Sequence, residues 1–579
     1  MFKRILIKSP LIHIFLFLGL NTVLATPADL GATYIEAWKK FYPSKALNQG
    51  IHTAIFDYEN YSTNNIEEWL TFNQKMLAQL SANNTPYVIE NRIDARLLKV
   101  QVQEEINKWG DKKIQQHSLN LYTPLIAKAT DKVLAAAYLT NREKTKLICQ
   151  RLDAVQNLCA AAKKSLIKDD KAAIERGIKN LAKAAIFYET ELPDLTKGWQ
   201  SSASCKNLDI HCQTTATHIQ DLITHLQTKI LPKAKTTKAT IGKTEYARRL
   251  ALYTDSNLSP DQLSSIALAE IQTVRNLIGE VSEQYLKKQY PTKALPNDYK
   301  SIVKAAFADM EKDAPTSGED YLEFWLELRD AAIDFIEKKE IATLPDFQTL
   351  RIIPAPESAG PAARIGWVDS APPFAPNPLT TLYLPSIPDT LPAQEQKDFW
   401  ASFNKPFNRM IVIHELFPGH YMQIKISRAT PHPVRLLFPY AVYFEGWATF
   451  TERVLLDAGW EQDNPLTFLA HLRKRLENAN RAYTSMQVHC NDWTQAQVME
   501  FSTETSLLAP QFAKSLWGRI MRSPMQLTSY FLGGQQFTAL LAAEKKRLGK
   551  AFNLTDFMDT IMQVGAIPID EFSGIFEAK

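Results

Sequence analysis

The run His414-Glu415-Leu416-Phe417-Pro418-Gly419-His420 constrains this 579-residue chain more than any other stretch. Two histidines with a glutamate between them on a buried helix can bind a hydrolytic metal, but only if both rings reach one ion. The usual spacing is i, i+4, which stacks the rings on one helix face. Here it is i, i+6, and on an unbroken helix that turns the second ring about 120° away from the first. The helix must therefore be interrupted between them. Pro418 removes the N–H that would bond back to the carbonyl of His414, and Gly419 tolerates unusual backbone angles. The expectation is a bulge of two extra residues that returns His420 to His414. The preceding apolar run, Met410 to Ile413, points to a buried helix whose polar end meets a cavity. A chance match of H-E with a nearby histidine is the alternative, and the next motif weakens it.

That motif is Tyr443-Phe444-Glu445-Gly446-Trp447-Ala448-Thr449-Phe450-Thr451-Glu452. A catalytic zinc needs a third protein ligand and leaves one position for water. Glu445 follows His420 by 25 residues, room for one helix to end and another to return. Glu445 and Glu452 are seven apart, on one face two turns from each other. Glu445, in the more apolar surroundings, is the expected ligand. Glu452 is expected behind it, orienting a ligand histidine through its free ring N–H; a solvated surface carboxylate is the alternative. Glu415 is the expected general base, taking a proton from a water polarised by zinc and passing it to the departing amine.

The strings H-E-L-F-P-G-H-Y-M-Q and Y-F-E-G-W-A-T-F-T-E resemble those of the bacterial domain-of-unknown-function 885 family, a group of zinc-peptidase-like proteins. The likeness continues through Arg481-Ala482, His489, Gly518-Arg519, the run Ser523 to Gln526, Ser529-Tyr530, and Gly565 to Pro568. It covers about the last 230 residues strongly. The resemblance implies a mostly helical metallopeptidase with a deep channel, distantly like the thimet-type and angiotensin-converting-type peptidases. From its downstream motifs, Tyr530 and His489 are candidate oxyanion donors, each with a plain structural alternative. Arg481 and Arg519 are candidates for holding a substrate carboxylate, which favours exopeptidase-like trimming, with surface ion pairs as the alternative. This chain departs from the family pattern at Ser485, where Asp is usual, and at Met558, where His is usual.

Composition is that of an ordinary globular protein, 45% hydrophobic and 22% charged. A net charge of +4 without a basic tract argues against a nucleic-acid partner. Lys3, Arg4 and Lys8 precede an apolar run at 11–20, and small residues end at Ala25. That pattern reads as a signal peptide over 1–25, so the protein is expected to be exported, periplasmic or secreted, with no membrane span after cleavage. No cysteine near the cut offers a lipid anchor. In an oxidising compartment the expected disulfides are the local pairs Cys149–Cys159 and Cys205–Cys212, leaving Cys490.

Residues 26–345 read as helix after helix, with periodic apolar positions at 66–80, 93–109, 125–139, 172–188 and 216–230. Pro124 and the run Ser259-Pro260-Asp261-Gln262 mark helix starts. The expected division is a helical scaffold over 26–345 and a catalytic half over 346–579. Within the latter, the proline-rich stretch 352–395 holds strand candidates at 364–368 and 381–384, either a sheet edge that could receive an extended peptide or a connecting loop. The expected whole is an all-α protein with a small β element beside a deep cleft. It would bind one zinc per chain through His414, His420 and Glu445 and hydrolyse peptides. The rivals are a zinc-stabilised receptor that captures peptides without cutting, and a zinc hydrolase of a non-peptide amide or ester.

Overall fold

A computed structural model describes residues 27–82, 88–199, 205–236, 240–346 and 349–578. The expected signal peptide lies outside them. The fold is 73% helical with one three-stranded sheet. Local rules account for many helix starts. Ser259 caps the helix Pro260–Gln289 reciprocally with Gln262, and Thr140 does the same with Glu143 for Asn141–Ser165. The expected single helix over 125–139 is two short helices, Thr123–Ala127 and Asp131–Ala135. The carbonyl of Leu125 accepts the Tyr58 hydroxyl (2.5 Å) and that of Ile126 accepts the Tyr188 hydroxyl (2.6 Å). Tertiary partners thus take over acceptors at the point where the helix breaks.

The sheet has the order β1 (Leu350–Pro354), β3 (Thr380–Leu384), β2 (Trp367–Asp369). β1 runs parallel to β3 and β2 antiparallel to it. The candidate at 381–384 lies within β3, whereas of the candidate at 364–368 only Trp367 and Val368 are in a strand, β2, and 364–366 form the turn ahead of it. β1 was not legible, because its five residues end in a proline and it lies on the sheet edge, where proline is tolerated. The sheet adjoins the helix His420–Ser427: Lys425 Nζ donates to Thr349 Oγ1 (2.8 Å), and Arg428 donates to the carbonyl of Ala375 (2.7 Å).

One apolar core runs from Leu30 to Ile575 and crosses the expected boundary at 345. Trp38 and Tyr34 meet Phe438 edge-on at 5.5 and 5.4 Å. Beside them the fully buried Arg435 is held by Asp94 (2.7 Å) and Glu90. A buried guanidinium is tolerable only when so paired. Among the described residues no helix is long and apolar enough to cross a membrane.

Cys149 bonds Cys205, not Cys159, with a Cα separation of 6.0 Å. Cys149 and Cys159 lie on one helix, Asn141–Ser165, about 15 Å apart along its axis, too far for a disulfide. Cys159 and Cys212 are buried free thiols pushed up to about 12 by that burial, and Cys490 is free as expected.

Candidate metal centre

Helix Lys405–Glu415 begins at Asn404, whose side chain accepts the N–H of Phe407 (3.0 Å). Its face Met410, Val412 and Ile413 is fully buried and drives His414 inward. The helix stops at Glu415 and a second one starts at His420. The interruption is therefore a four-residue turn between two helices, not the expected bulge within one. Leu416 and Phe417 are buried in the core. The Phe417–Pro418 peptide is cis. Trp447 Nε1 donates to the Pro418 carbonyl (2.9 Å), and the N–H of Met422 reaches back to the Leu416 carbonyl (3.1 Å). Gly419 is what lets the turn close. A Cβ there would lie 2.0 Å from the carbonyl oxygen of His414 and 2.2 Å from that of Ile413. The result is the one the spacing demanded: the two imidazoles are perpendicular with centroids 4.9 Å apart.

Glu445 arrives from the helix Ala441–Asp457, which crosses Gln526–Leu548 at nearly touching backbones. A Cβ on Gly446 would sit 2.5 Å from the Cα of Gly533, so a side chain at this crossing would push the helices apart. Glu445 Oε2 lies 3.4 Å from His420 Nε2 and 3.7 Å from His414 Nε2. One donor atom from each residue falls within 4.8 Å of the others. Tetrahedral coordination with bonds near 2.1 Å places neighbouring donors about 3.4 Å apart, so this set fits zinc. Burial alone would raise Glu445; His414 and His420 outweigh it and hold the carboxyl well below the usual range.

Glu452 is fully buried, which removes the surface alternative. Its Oε1 lies 2.8 Å from His414 Nδ1, so it fixes the ring with Nε2 toward Glu445. Its Oε2 lies 3.0 Å from Nδ1 of His471, a residue whose sequence surroundings carry no metal signal. Burial raises Glu452, but His414 and His471 bring it to about 2. Burial likewise lowers His414, and its contacts with Glu445 and Glu452 overcome this and lift the imidazole to about 10. A buried carboxylate and a partly buried one around a single imidazole make a field that favours a cation, proton or metal. Glu415, half-buried beside His414, has no hydrogen-bond or ion-pair partner among the described residues.

The side of Glu445 away from the histidines is a polar chain. Gln526 Nε2 donates to Glu445 Oε1 (3.0 Å) and to the Tyr530 hydroxyl (3.1 Å). Arg519 donates to Gln526 Oε1 (3.2 Å) and to the Tyr530 hydroxyl (3.3 Å). Arg481 stacks on the Tyr530 ring, 4.8 Å from its centroid. Burial and the charge of Glu445 push Tyr530 up to about 12 against the two arginines, so the phenol stays protonated at neutral pH. His489 belongs elsewhere. Its Nε2 meets the Ile520 carbonyl (3.0 Å) and its Nδ1 accepts the N–H of Ile241 (3.4 Å). Those are the contacts of a satisfied structural histidine, and burial pushes its pKa down. The expected catalytic role for His489 is dropped. Ser485, at a departure from the family pattern, is buried and donates to the Pro524 carbonyl (3.1 Å).

A cavity of about 790 Å³ is lined by Tyr253, Leu252, Met525, Glu104, Lys108 and Arg248 among others; Glu445, Gln526, Tyr530 and Arg519 are not in its lining. Met525 precedes Gln526, and the charge of Glu445 reaches the Tyr253 hydroxyl.

The model of a family of bacterial proteins of unknown function, DUF885, matches residues 43–573. The chain belongs to this family. The match takes in the amino-terminal helices as well as the motif-bearing half, so the whole fold is the family's unit. Two solved structures share it. A candidate lipoprotein of unknown function from Shewanella oneidensis superposes with a TM-score of 0.83 at 20% identity, covering 96% of this chain and 100% of that one. A candidate lipoprotein from Colwellia psychrerythraea gives 0.70 at 18%, with the same coverage. No curated protein matches the chain.

Proposed function

We propose that this protein is an exported zinc-dependent hydrolase that cleaves peptide bonds. The observation carrying the proposal is the convergence of His414 Nε2, His420 Nε2 and Glu445 Oε2 next to the unpartnered carboxylate of Glu415. Three protein donors are the complement of a catalytic zinc; a structural site takes four. Zinc bound there would supply a Lewis acid for a carbonyl and for water. Glu452 keeps the lone pair of His414 Nε2 directed at the site by holding Nδ1. Glu415 takes the proton of the attacking water and hands it to the departing amine. Tyr530, kept protonated, donates to the oxygen on which negative charge develops. Export is supported by the basic and apolar pattern of residues 1–25, and by structural neighbours described as lipoprotein candidates.

The test compares wild type with Glu415→Gln, both loaded with zinc, on a mixed peptide library read by mass spectrometry. The variant keeps the fold and about one zinc per chain, and loses cleavage by several orders of magnitude. Near-normal turnover in a zinc-replete Glu415→Gln protein would refute the mechanism. Equal peptide affinity in both proteins, with neither cutting, would identify a receptor instead.

A further inference from the structure

We propose, resting on the hydrolase reading above, that the substrate is a peptide with a free carboxyl terminus, received by Arg519, and that the site removes one or two carboxy-terminal residues. The two candidate arginines have different surroundings. Arg481 is buried and engaged: it donates to Glu477 and to Asn478 Oδ1 (3.2 Å). Its charge is spent inside the protein. Arg519 is half-buried, and among the described residues its contacts are the neutral Gln526 and Tyr530, with no carboxylate in ion-pair reach. Arg481, Lys474, Arg473 and Arg519 all act on Glu477, and of these Arg481 and Lys474 reach it, the latter at 3.9 Å; Lys474 is also drawn by Glu452 and Glu415, and Arg473 by Glu311. A guanidinium held in this way recognises a carboxylate through paired N–H donors.

Position gives the register. The amide of Gln526 spans from Arg519 to Glu445, accepting from the first and donating to the second. One side-chain amide therefore separates the guanidinium from the carboxylate beside which the bond is broken. An extended peptide fills such a gap with one or two residues at about 3.5 Å each.

The experiment uses zinc-loaded protein and one peptide sequence synthesised with a free or an amidated carboxyl terminus. Products are read by mass spectrometry, and binding of the labelled peptides to Glu415→Gln is read by fluorescence anisotropy. The free acid is trimmed by one or two residues, while the amide binds and reacts about 10- to 100-fold more weakly. Arg519→Met removes the preference for the free acid, so that the acid-to-amide ratio falls toward one whatever happens to the absolute rates; Arg519→Lys recovers part of that preference. Circular dichroism verifies that both variants fold, and the amide comparison needs no mutation. Equal handling of acid and amide, or cleavage at interior bonds indifferent to Arg519, would overturn this inference and leave the hydrolase intact. An amidated peptide ending in glutamate that binds like the free acid would overturn it in favour of a side-chain carboxylate. If the wild type cuts nothing, the hydrolase fails instead. The carboxylate receptor is then decided by binding alone: a free-acid preference abolished by Arg519→Met supports it, and no preference overturns it.

Discussion

Replacing Glu452 with glutamine tests the logic of the site without touching a proposed metal ligand. In the native arrangement both carboxylate oxygens accept, Oε1 from His414 (2.8 Å) and Oε2 from His471 (3.0 Å). A glutamine has one acceptor oxygen and one NH₂ donor, so it can satisfy only one of the two Nδ1–H groups. If the amide nitrogen faces His414, the ring must carry its proton on Nε2, the nitrogen aimed at Glu445, and cannot ligate. If it faces His471, that buried ring must carry its proton on Nε2, which has no partner. The first arrangement abolishes zinc binding, so a metal would select the second. Zinc affinity then falls about 10- to 100-fold through the lost carboxylate, or roughly 1.4–2.7 kcal/mol. The apoprotein loses about 1–3 kcal/mol of stability through the unsatisfied buried donor. Chelator competition measures the first quantity and urea unfolding the second. A double-mutant cycle with His471→Ala sharpens the test: His471→Ala should destabilise Glu452→Gln less than it destabilises the wild type. Wild-type zinc affinity in Glu452→Gln, or additive losses in the cycle, would refute the role given to Glu452.

Three further outcomes follow from the geometry. Non-reduced peptide mapping finds Cys149 linked to Cys205, and Cys149→Ala loses about 4 kcal/mol by the chain-entropy model for a 56-residue separation; recovery of a Cys149–Cys159 peptide would contradict the fold. Gly446→Ala costs about 1–3 kcal/mol and weakens zinc binding by spreading the two helices, whereas Gly534→Ala, facing only the Thr449 methyl at 3.1 Å, is milder; equal stability of the two variants would show that the crossing is not tight. Burial brings Lys108 down to about 8 against the pull of Glu105. Its folded pKa is below its unfolded one, so the unfolded chain binds more protons between pH 8 and 10.5, and stability rises with pH across that window. Denaturant unfolding should show the gap between wild type and Lys108→Met shifting by about 2 kcal/mol toward the wild type from pH 7 to pH 10; a gap independent of pH would place Lys108 in water.

Much of the site was legible because its rules act over one or two helical turns. The helix starts at Ser259 and Thr140 need only a side chain and a backbone N–H three residues on. The spacing of His414 and His420, with proline and glycine between them, requires a break in the helix whatever surrounds it. The seven-residue interval from Glu445 to Glu452 places both carboxylates on one face, and the structure sets Glu445 beside both imidazoles and Glu452 behind His414. These inferences use only the 3.6-residue period and the backbone limits of two residue types.

What the tertiary structure decided depends on groups far apart in the chain. The break became a turn between two helices because Trp447, 29 residues from Pro418, takes the proline carbonyl and because Gly419 lies against two backbone oxygens. His471 joined the site through Glu452, and His489 left it because Ile520 and Ile241 claim both ring nitrogens. Cys149 bonded Cys205, in the segment ahead of the helix Leu208–His225, since ten residues along one helix separate two sulfurs too far. Arg481 pairs with Glu477 one turn back on its own helix, a contact the spacing already carries, whereas Arg519 faces neutral partners because the fold sets the next helix, with Gln526 and Tyr530, against it. Charge pairing and burial are set by whatever the fold brings within a few ångströms, and chain order alone does not encode that proximity.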